Sequence, residues 1–280
     1  MIPQAEVTTW REKAPWPTDA QVEQDLVLSR ALVEIFSEKT VREHLAFRGG
    51  TALNKLVLKA PARYSEDIDL VQVNAGPIGP TIDSLRKKLD PWLGEPKRER
   101  NEGRVILRYR FSSEIPPVTN LRLKIEINTR EHFSVLGFET HSFSVKSRWF
   151  SGNTEIPTYK LEEMLGTKLR ALYQRKKGRD LFDIAVSIKD FPEINRETVV
   201  KCFQFYMDHG GHRVSRAEYE ANLMQKTTLP AFLNDLPPLL SPDVAEQFDF
   251  AAAAALVHSE LLSLLPGDPW KAPQKKGKRQ

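Results

Sequence analysis

The segment Ser65-Glu66-Asp67-Ile68-Asp69-Leu70 constrains the fold more than any other part of the chain. Strand side chains alternate between faces. Ser65, Asp67 and Asp69 therefore share one face, and Ile68 and Leu70 take the other. Such a strand needs an apolar layer on one side and presents paired carboxylates on the opposite side. At an effective dielectric of ~20, unit charges ~4 Å apart repel by roughly 4 kcal/mol. A divalent cation reverses that repulsion, and Mg²⁺ favours a few carboxylates together with phosphate oxygens. A solvated edge strand would carry the same two acids, so the motif takes its meaning from its neighbours.

One neighbour is Leu121-Arg122-Leu123-Lys124-Ile125-Glu126-Ile127-Asn128, where apolar residues alternate cleanly. Glu126 then faces away from the core with Arg122 and Lys124. If this strand lies beside the Asp67–Asp69 strand, Glu126 completes a three-carboxylate site of the kind that activates a hydroxyl and holds a triphosphate for in-line displacement. The other neighbour is Gly49-Gly50-Thr51, between an expected strand at 45–47 and an expected short helix at 51–58. Glycines let backbone approach a phosphate closely, and a helix start offers free N–H groups. A tight turn with Thr51 as N-cap would read the same way. The segment is not a Walker loop, because Asn54 precedes Lys55 where that loop requires glycine.

Around these motifs the first half alternates helix and strand. Thr18 and Gln21 form a capping box ahead of a helix carrying Val22, Leu26, Val33 and Phe36. Residues 1–17 read as a polar lead-in. A strand is expected over 64–73, a helix over 82–93, and strands over 105–111, 121–128 and 141–149. Beyond Pro157 the pattern is helical, over 161–175, 181–188, 198–207, 216–224 and 244–265. The expected class is α+β: a small mixed sheet with flanking helices over 1–155, a helical lobe over 156–265, and a basic, disordered tail over 266–280.

Composition bounds the function. Lys271, Lys275, Lys276, Lys278 and Arg279 carry more positive charge than the net +4 of the whole chain, so the remainder stands at −1. A basic tail on a nearly neutral body is weak support for a nucleic-acid partner. The single cysteine, Cys202, rules out an intrachain disulfide and fits a reducing cytoplasm. The N-terminus lacks a signal-peptide pattern, and the Ala-rich run 250–257 is too short to span a bilayer. Cytoplasmic localisation without membrane attachment is expected.

The helix from Leu161 places Lys168 at the edge of an apolar stripe of Leu161, Leu165 and Leu172, with Arg175 on the same side. A lysine there snorkels or meets an anion such as a triphosphate. Asp180 reads as an N-cap of the next helix. Asp183, opposite Leu181, Ile184 and Ile188, faces either a cleft or solvent.

Taken in order, FRGGTAL at 47–53, RYSEDIDL at 63–70, KIEI at 124–127, KLRALYQR at 168–175 and RDLFDI at 179–184 resemble the AbiEii family. These are nucleotidyltransferase-like toxins of type IV toxin–antitoxin systems, related to the MenT toxins of mycobacteria. The resemblance runs from about residue 20 to 190, and the helix with Glu23 and Asp25 resembles the family's leading helix. It implies a polymerase-beta-like nucleotidyltransferase core with a helical C-terminal lobe. It also implies NTP as substrate, Mg²⁺ or Mn²⁺ as cofactor, and a cognate antitoxin as partner. The implied site has Asp67, Asp69 and Glu126 as metal ligands, with Glu126 alternatively a general base. Gly49, Gly50, Thr51, Ser65, Lys168 and Arg175 would bind nucleotide, and Asp183 would orient Lys168 or the base. Because some relatives add pyrimidine nucleotides to tRNA 3′ ends, the expected acceptor is tRNA; the alternatives are transfer to a protein or small-molecule hydroxyl, or a catalytically degenerate nucleotide-binding module. The Arg175–Arg179 run and the basic tail would lie against the tRNA phosphates. The Ser65 hydroxyl, on the face of both aspartates, is also a candidate for inactivating modification.

Overall fold

In the computed structural model, which describes residues 2–271, the chain divides into two compact units. The first takes Met1–Met164 with Pro237–Phe248. The second takes Leu165–Leu236 and the chain from Asp249 onward. The first unit thus runs past residue 155, where the sequence suggested a division, and residues 237–248 return to it.

The first unit contains helices α1 (Gln4–Trp10), α2 (Asp19–Ser37), α3 (Lys39–His44), α4 (Gly49–Ala52) and α5 (Gly79–Leu93). Its strands are β1 (Leu45–Arg48), β2 (Asp67–Gln72), β3 (Lys97–Asn101), β4 (Arg104–Ser112), β5 (Asn120–Asn128), β6 (Phe138–Lys146) and β7 (Ser151–Tyr159). Among the described residues these form one seven-stranded sheet in the order β3-β4-β5-β2-β1-β7-β6. The β2–β5 and β1–β7 pairs are parallel, and the other pairs are antiparallel. The sheet is therefore larger than expected. β3 and β7 are additions that apolar alternation did not announce. β3 reads Lys-Arg-Glu-Arg-Asn and has no apolar side chain, while β7 pairs along its whole length with β6 and through Thr158 with Phe47 of β1.

The Thr18–Gln21 capping box forms as read, with the Thr18 side chain accepting from the Gln21 N–H and the Gln21 side chain accepting from the Thr18 N–H. α2 then buries Val22, Leu26, Leu28, Leu32, Ile35 and Phe36. One sheet face supplies the matching apolar layer, with Ile68 and Leu70 of β2, Leu107 and Tyr109 of β4, and Leu123, Ile125 and Ile127 of β5. Leu and Phe side chains of this size each contribute about 1.5–3 kcal/mol when fully buried, and this layer fixes the sheet register. Residues 1–17 are not a loose lead-in. α1 and the following turn bury Val7, Trp10, Ala14 and Trp16 in the same core.

The second unit holds most of α6 (Leu161–Gln174), then α7 (Gly178–Asp190), α8 (Arg196–His209), α9 (Arg216–Lys226), α10 (Pro230–Leu233) and α12 (Phe250–Glu260). α11 (Pro242–Gln247) lies in the stretch belonging to the first unit. The helix expected over 244–265 is thus broken. Asp249 restarts it as an N-cap, accepting from the N–H groups of Ala251 and Ala252. Cys202 is buried, as its apolar helical position implies. The described part of the tail is tethered: the Pro266 carbonyl accepts from the Arg216 N–H and the Trp270 N–H donates to Glu220. The rest of the expected disordered tail, 272–280, lies outside the described residues. No helix among the described residues is long and apolar enough to cross a membrane.

Candidate active site

β2 and β5 run side by side with Asp67 opposite Lys124 and Asp69 opposite Glu126. Because paired residues share a face, the sheet itself brings together the acids that the sequence pointed to. The Lys124 ammonium lies among them, 3.3 Å from Asp67 Oδ2 and 3.0 Å from Glu126 Oε2. Burial foremost, then the neighbouring Asp67, pushes the Asp69 carboxyl above its ordinary value, against the pull of Arg48 and Lys124. For Glu126, burial acts upward, but Lys124 and Arg104 outweigh it and hold the carboxyl below its usual range. Lys124 is held above its ordinary value, since Asp67, Glu126 and Asp69 outweigh its own burial.

Gly49 closes the site from the other side. It follows β1, whose Arg48 is opposite Asp69. Its φ of 81° lies in the left-handed region, and a Cβ there would sit 2.6 Å from Asp69 Oδ2. Only glycine satisfies both conditions. Gly50 and Thr51 continue into α4, and the chain then widens into a π-helical turn, Leu53–Val57. The Thr51 hydroxyl donates to the Asp67 carbonyl at 2.5 Å and stands 2.6 Å from Ser65 Oγ. With the Thr51 proton committed to that carbonyl, Ser65 is the donor to Thr51. Since β2 starts at Asp67, strand alternation places Asp67 and Asp69 but does not extend to Ser65.

Ser65 and Thr51 border a cavity of about 240 Å³ whose walls include Trp10, Trp16, Asp25 and Lys55. Asp25 is buried and fully committed. It accepts from Trp10 Nε1 at 2.8 Å, from Trp16 Nε1 at 2.9 Å and from Lys55 Nζ at 2.7 Å. This charge-assisted cluster ties the π-helical turn after the Gly-Gly-Thr segment to α2. In the sequence Asp25 follows Glu23 and Gln24, so no local pattern sets it apart from its polar neighbours, and only the resemblance to the family's leading helix pointed to it.

In the second unit, Lys168, Arg175, Asp180 and Asp183 form one ion cluster. Lys168 Nζ is 2.6 Å from Asp183 Oδ2 and 3.3 Å from Asp180 Oδ1. Arg175 makes a two-pronged contact with Asp180, Nε at 2.6 Å and Nη2 at 2.7 Å. Lys168 is only 6% exposed and therefore does not snorkel. Asp180 is not an N-cap: Lys177 holds that position without a side-chain bond, and the Asp180 carboxylate turns inward. Asp183 is likewise buried. Burial acts to raise the Asp180 carboxyl, yet Lys168 and Arg175 outweigh it and hold it below its ordinary value.

Whether the first unit's acids suit a divalent cation is a question of donor chemistry. Asp67, Asp69 and Glu126 offer oxygen donors from one face, the type that hard cations take. Among the described residues no three acidic, imidazole or thiol groups already converge on one point, and the Lys124 ammonium lies between Asp67 and Glu126. Burial first, and then the charge of Asp67, raises Asp69, and a cation bound there would offset both. The donor set therefore fits, provided Lys124 yields part of its place.

The family model described as nucleotidyl transferase AbiEii toxin, type IV TA system, matches residues 30–254. The chain belongs to the AbiEii family. It is thus a member of a nucleotidyltransferase toxin family, and membership implies an antitoxin partner. No curated protein sequence matches it. Among solved structures, this AbiEii protein is similar to MenT4, a nucleotidyltransferase toxin from Mycobacterium tuberculosis H37Rv. The identity is 17% and the TM-score 0.63, over 96% of this chain and 91% of that one. It is also similar to JHP933 from Helicobacter pylori, at 17% identity and TM-score 0.50, over 89% of this chain and 95% of that one. These likenesses show a fold shared with a nucleotidyltransferase toxin: a mixed sheet with helices against it.

Proposed function

We propose that this AbiEii-family protein transfers a nucleoside monophosphate from an NTP to the 3′ end of an RNA, with tRNA as acceptor, and thereby blocks translation. The observation that carries the reading is the alignment of Asp67, Asp69 and Glu126 on one sheet face beside the Gly49 turn. In the reaction the acceptor hydroxyl attacks the α-phosphorus, the bond to the β-phosphate oxygen breaks, and pyrophosphate leaves. Asp67 and Asp69 are the proposed ligands of a divalent cation, Mg²⁺ or Mn²⁺. When bound, that cation neutralises triphosphate charge and makes the attacking hydroxyl easier to deprotonate. Glu126 serves as a further ligand or accepts the hydroxyl proton. Gly49, Gly50 and Thr51 offer close backbone approach to phosphate oxygens, and Thr51 with Ser65 holds the carbonyl of Asp67 in place. The family resemblance supports assigning Lys168 and Arg175 to the nucleotide and Asp183 to orienting Lys168. The 2.6 Å ion pair supports the last role.

The test is incubation with each α-labelled NTP, Mg²⁺ and total cellular RNA, in parallel with cell protein. Label in a tRNA-sized band that is lost when the 3′ hydroxyl is blocked is the expected outcome. Label in protein alone, under every NTP, overturns the acceptor assignment.

A further inference from the structure

The sheet face that carries the acids continues outward across β5, β4 and β3, and it is unusually rich in facing cations. Arg110 lies directly opposite Arg122, and Arg108 directly opposite Lys124. On its other side Arg108 also faces Lys97. Like charges directly opposite each other destabilise an antiparallel pair; Asp67 and Glu126 offset Lys124, and Glu99 offsets Arg108 and Lys97, which leaves Arg110–Arg122 as the least compensated pairing. Acids on this side neutralise only part of the charge. Glu99 meets both Lys97 and Arg108, at 3.4 and 3.3 Å. Among the described residues Arg122 pairs only with Glu66, at 3.7 Å, and its side chain is 62% exposed. Arg110 is exposed and makes no ion pair among the described residues. Between Arg110 and Arg122 lies a groove of about 390 Å³, which also takes in Ser112 and Asn120 as polar neighbours.

We propose that this face, centred on the Arg110–Arg122 pair, binds the phosphate backbone of the RNA acceptor and leads its 3′ end to Asp67, Asp69 and Glu126. The inference rests on the nucleotidyl-transfer reading above. A polyanion suits the site because it relieves the cross-strand repulsion left at the Arg110–Arg122 pair. Same-face residues along a strand recur about every 6.7 Å, so Arg108 and Arg110 offer a row of donors rather than one pocket. Arginine forks also match phosphate oxygens in a two-pronged fashion. Contacts of this kind position an RNA without reading its sequence.

The test compares wild type with the double variant Arg110→Ser/Arg122→Ser, and with Arg110→Lys/Arg122→Lys, using unfractionated cellular tRNA as the probe. The expected result is that the serine variant binds RNA on the order of tenfold more weakly at 0.1 M salt. Its slope of log K against log salt should fall by about 1.8 for a duplex contact, at ~0.9 per phosphate. The NTP KM and the Tm should hold or, for Tm, rise, and the lysine variant should recover most of the affinity. Unchanged RNA affinity and slope in the serine variant, while wild type still labels RNA, overturns this surface alone. Loss of binding to an acidic peptide with RNA binding intact also overturns it and marks the face as a protein contact. Wild type that neither binds nor labels RNA overturns the acceptor reading as well.

Discussion

Replacing Lys168 with Met should reveal how the second unit is held together. The Lys168 side chain is 7% exposed and its two carboxylate partners are 0% exposed. Removing the ammonium leaves Asp183 without its 2.6 Å cation and Asp180 with Arg175 as its remaining close partner. Breaking a buried pair by deleting one member costs about 3–5 kcal/mol. At ~2–4 °C per kcal/mol for a chain of this size, the Tm should drop by roughly 6–20 °C. Adding Asp183→Leu should restore more than half of that loss, since a buried ion pair replaced by apolar groups is often neutral, and Asp180 keeps Arg175. A thermal-melt double-mutant cycle measures the coupling. Lys168→Met melting within a degree of wild type would refute the electrostatic account. The stabilised double variant then isolates function: a raised NTP KM supports phosphate contact by Lys168, and unchanged kinetics make the lysine purely structural.

Three further outcomes follow from the first unit and from α9. Gly49→Ala combines a left-handed φ with a Cβ 2.6 Å from Asp69 Oδ2; it should cost about 1–3 kcal/mol by denaturant titration and lower kcat by displacing that carboxylate. Asp69 has a folded pKa raised above its unfolded value, so the native state binds the extra proton. Its contribution to stability is full below the unfolded pKa and is lost as pH rises through the folded one. Asp69→Asn should therefore raise the Tm of the metal-free protein at pH 7, measured by a thermal melt. Lys226, buried and donating to the carbonyls of Leu172 and Tyr173 at the end of α6, has its ammonium pushed down to about 8 by burial. Lys226→Met strands those carbonyls and should cost about 1–3 kcal/mol in a thermal melt.

The site's strands were legible because they alternate strictly. Ile68 and Leu70, and Ile125 and Ile127, point inward and so fix where Asp67, Asp69 and Glu126 point. β3 offered no such pattern, and its existence depends on pairing with β4. α1 was hidden because Val7, Trp10 and Trp16 are spaced among polar residues and find their core only in the tertiary fold. Lys124 was placed on the correct face, but its insertion between two acids depends on strand order, which no local pattern encodes. The inward turn of Asp180, read as an N-cap, was hidden for a related reason, whereas for Asp183 the sequence left a cleft and solvent both open. Buried carboxylates become affordable only when Lys168 and Arg175 arrive from another helix.

Transfer of α-label from NTP to RNA, measured for wild type and for Asp67→Asn at equal concentrations of folded protein, tests the carboxylate site most directly. The account predicts that the variant keeps a wild-type or higher Tm while its transfer rate falls by two or more orders of magnitude, roughly 3 kcal/mol in activation free energy. A folded Asp67→Asn protein that labels RNA at the wild-type rate would contradict it.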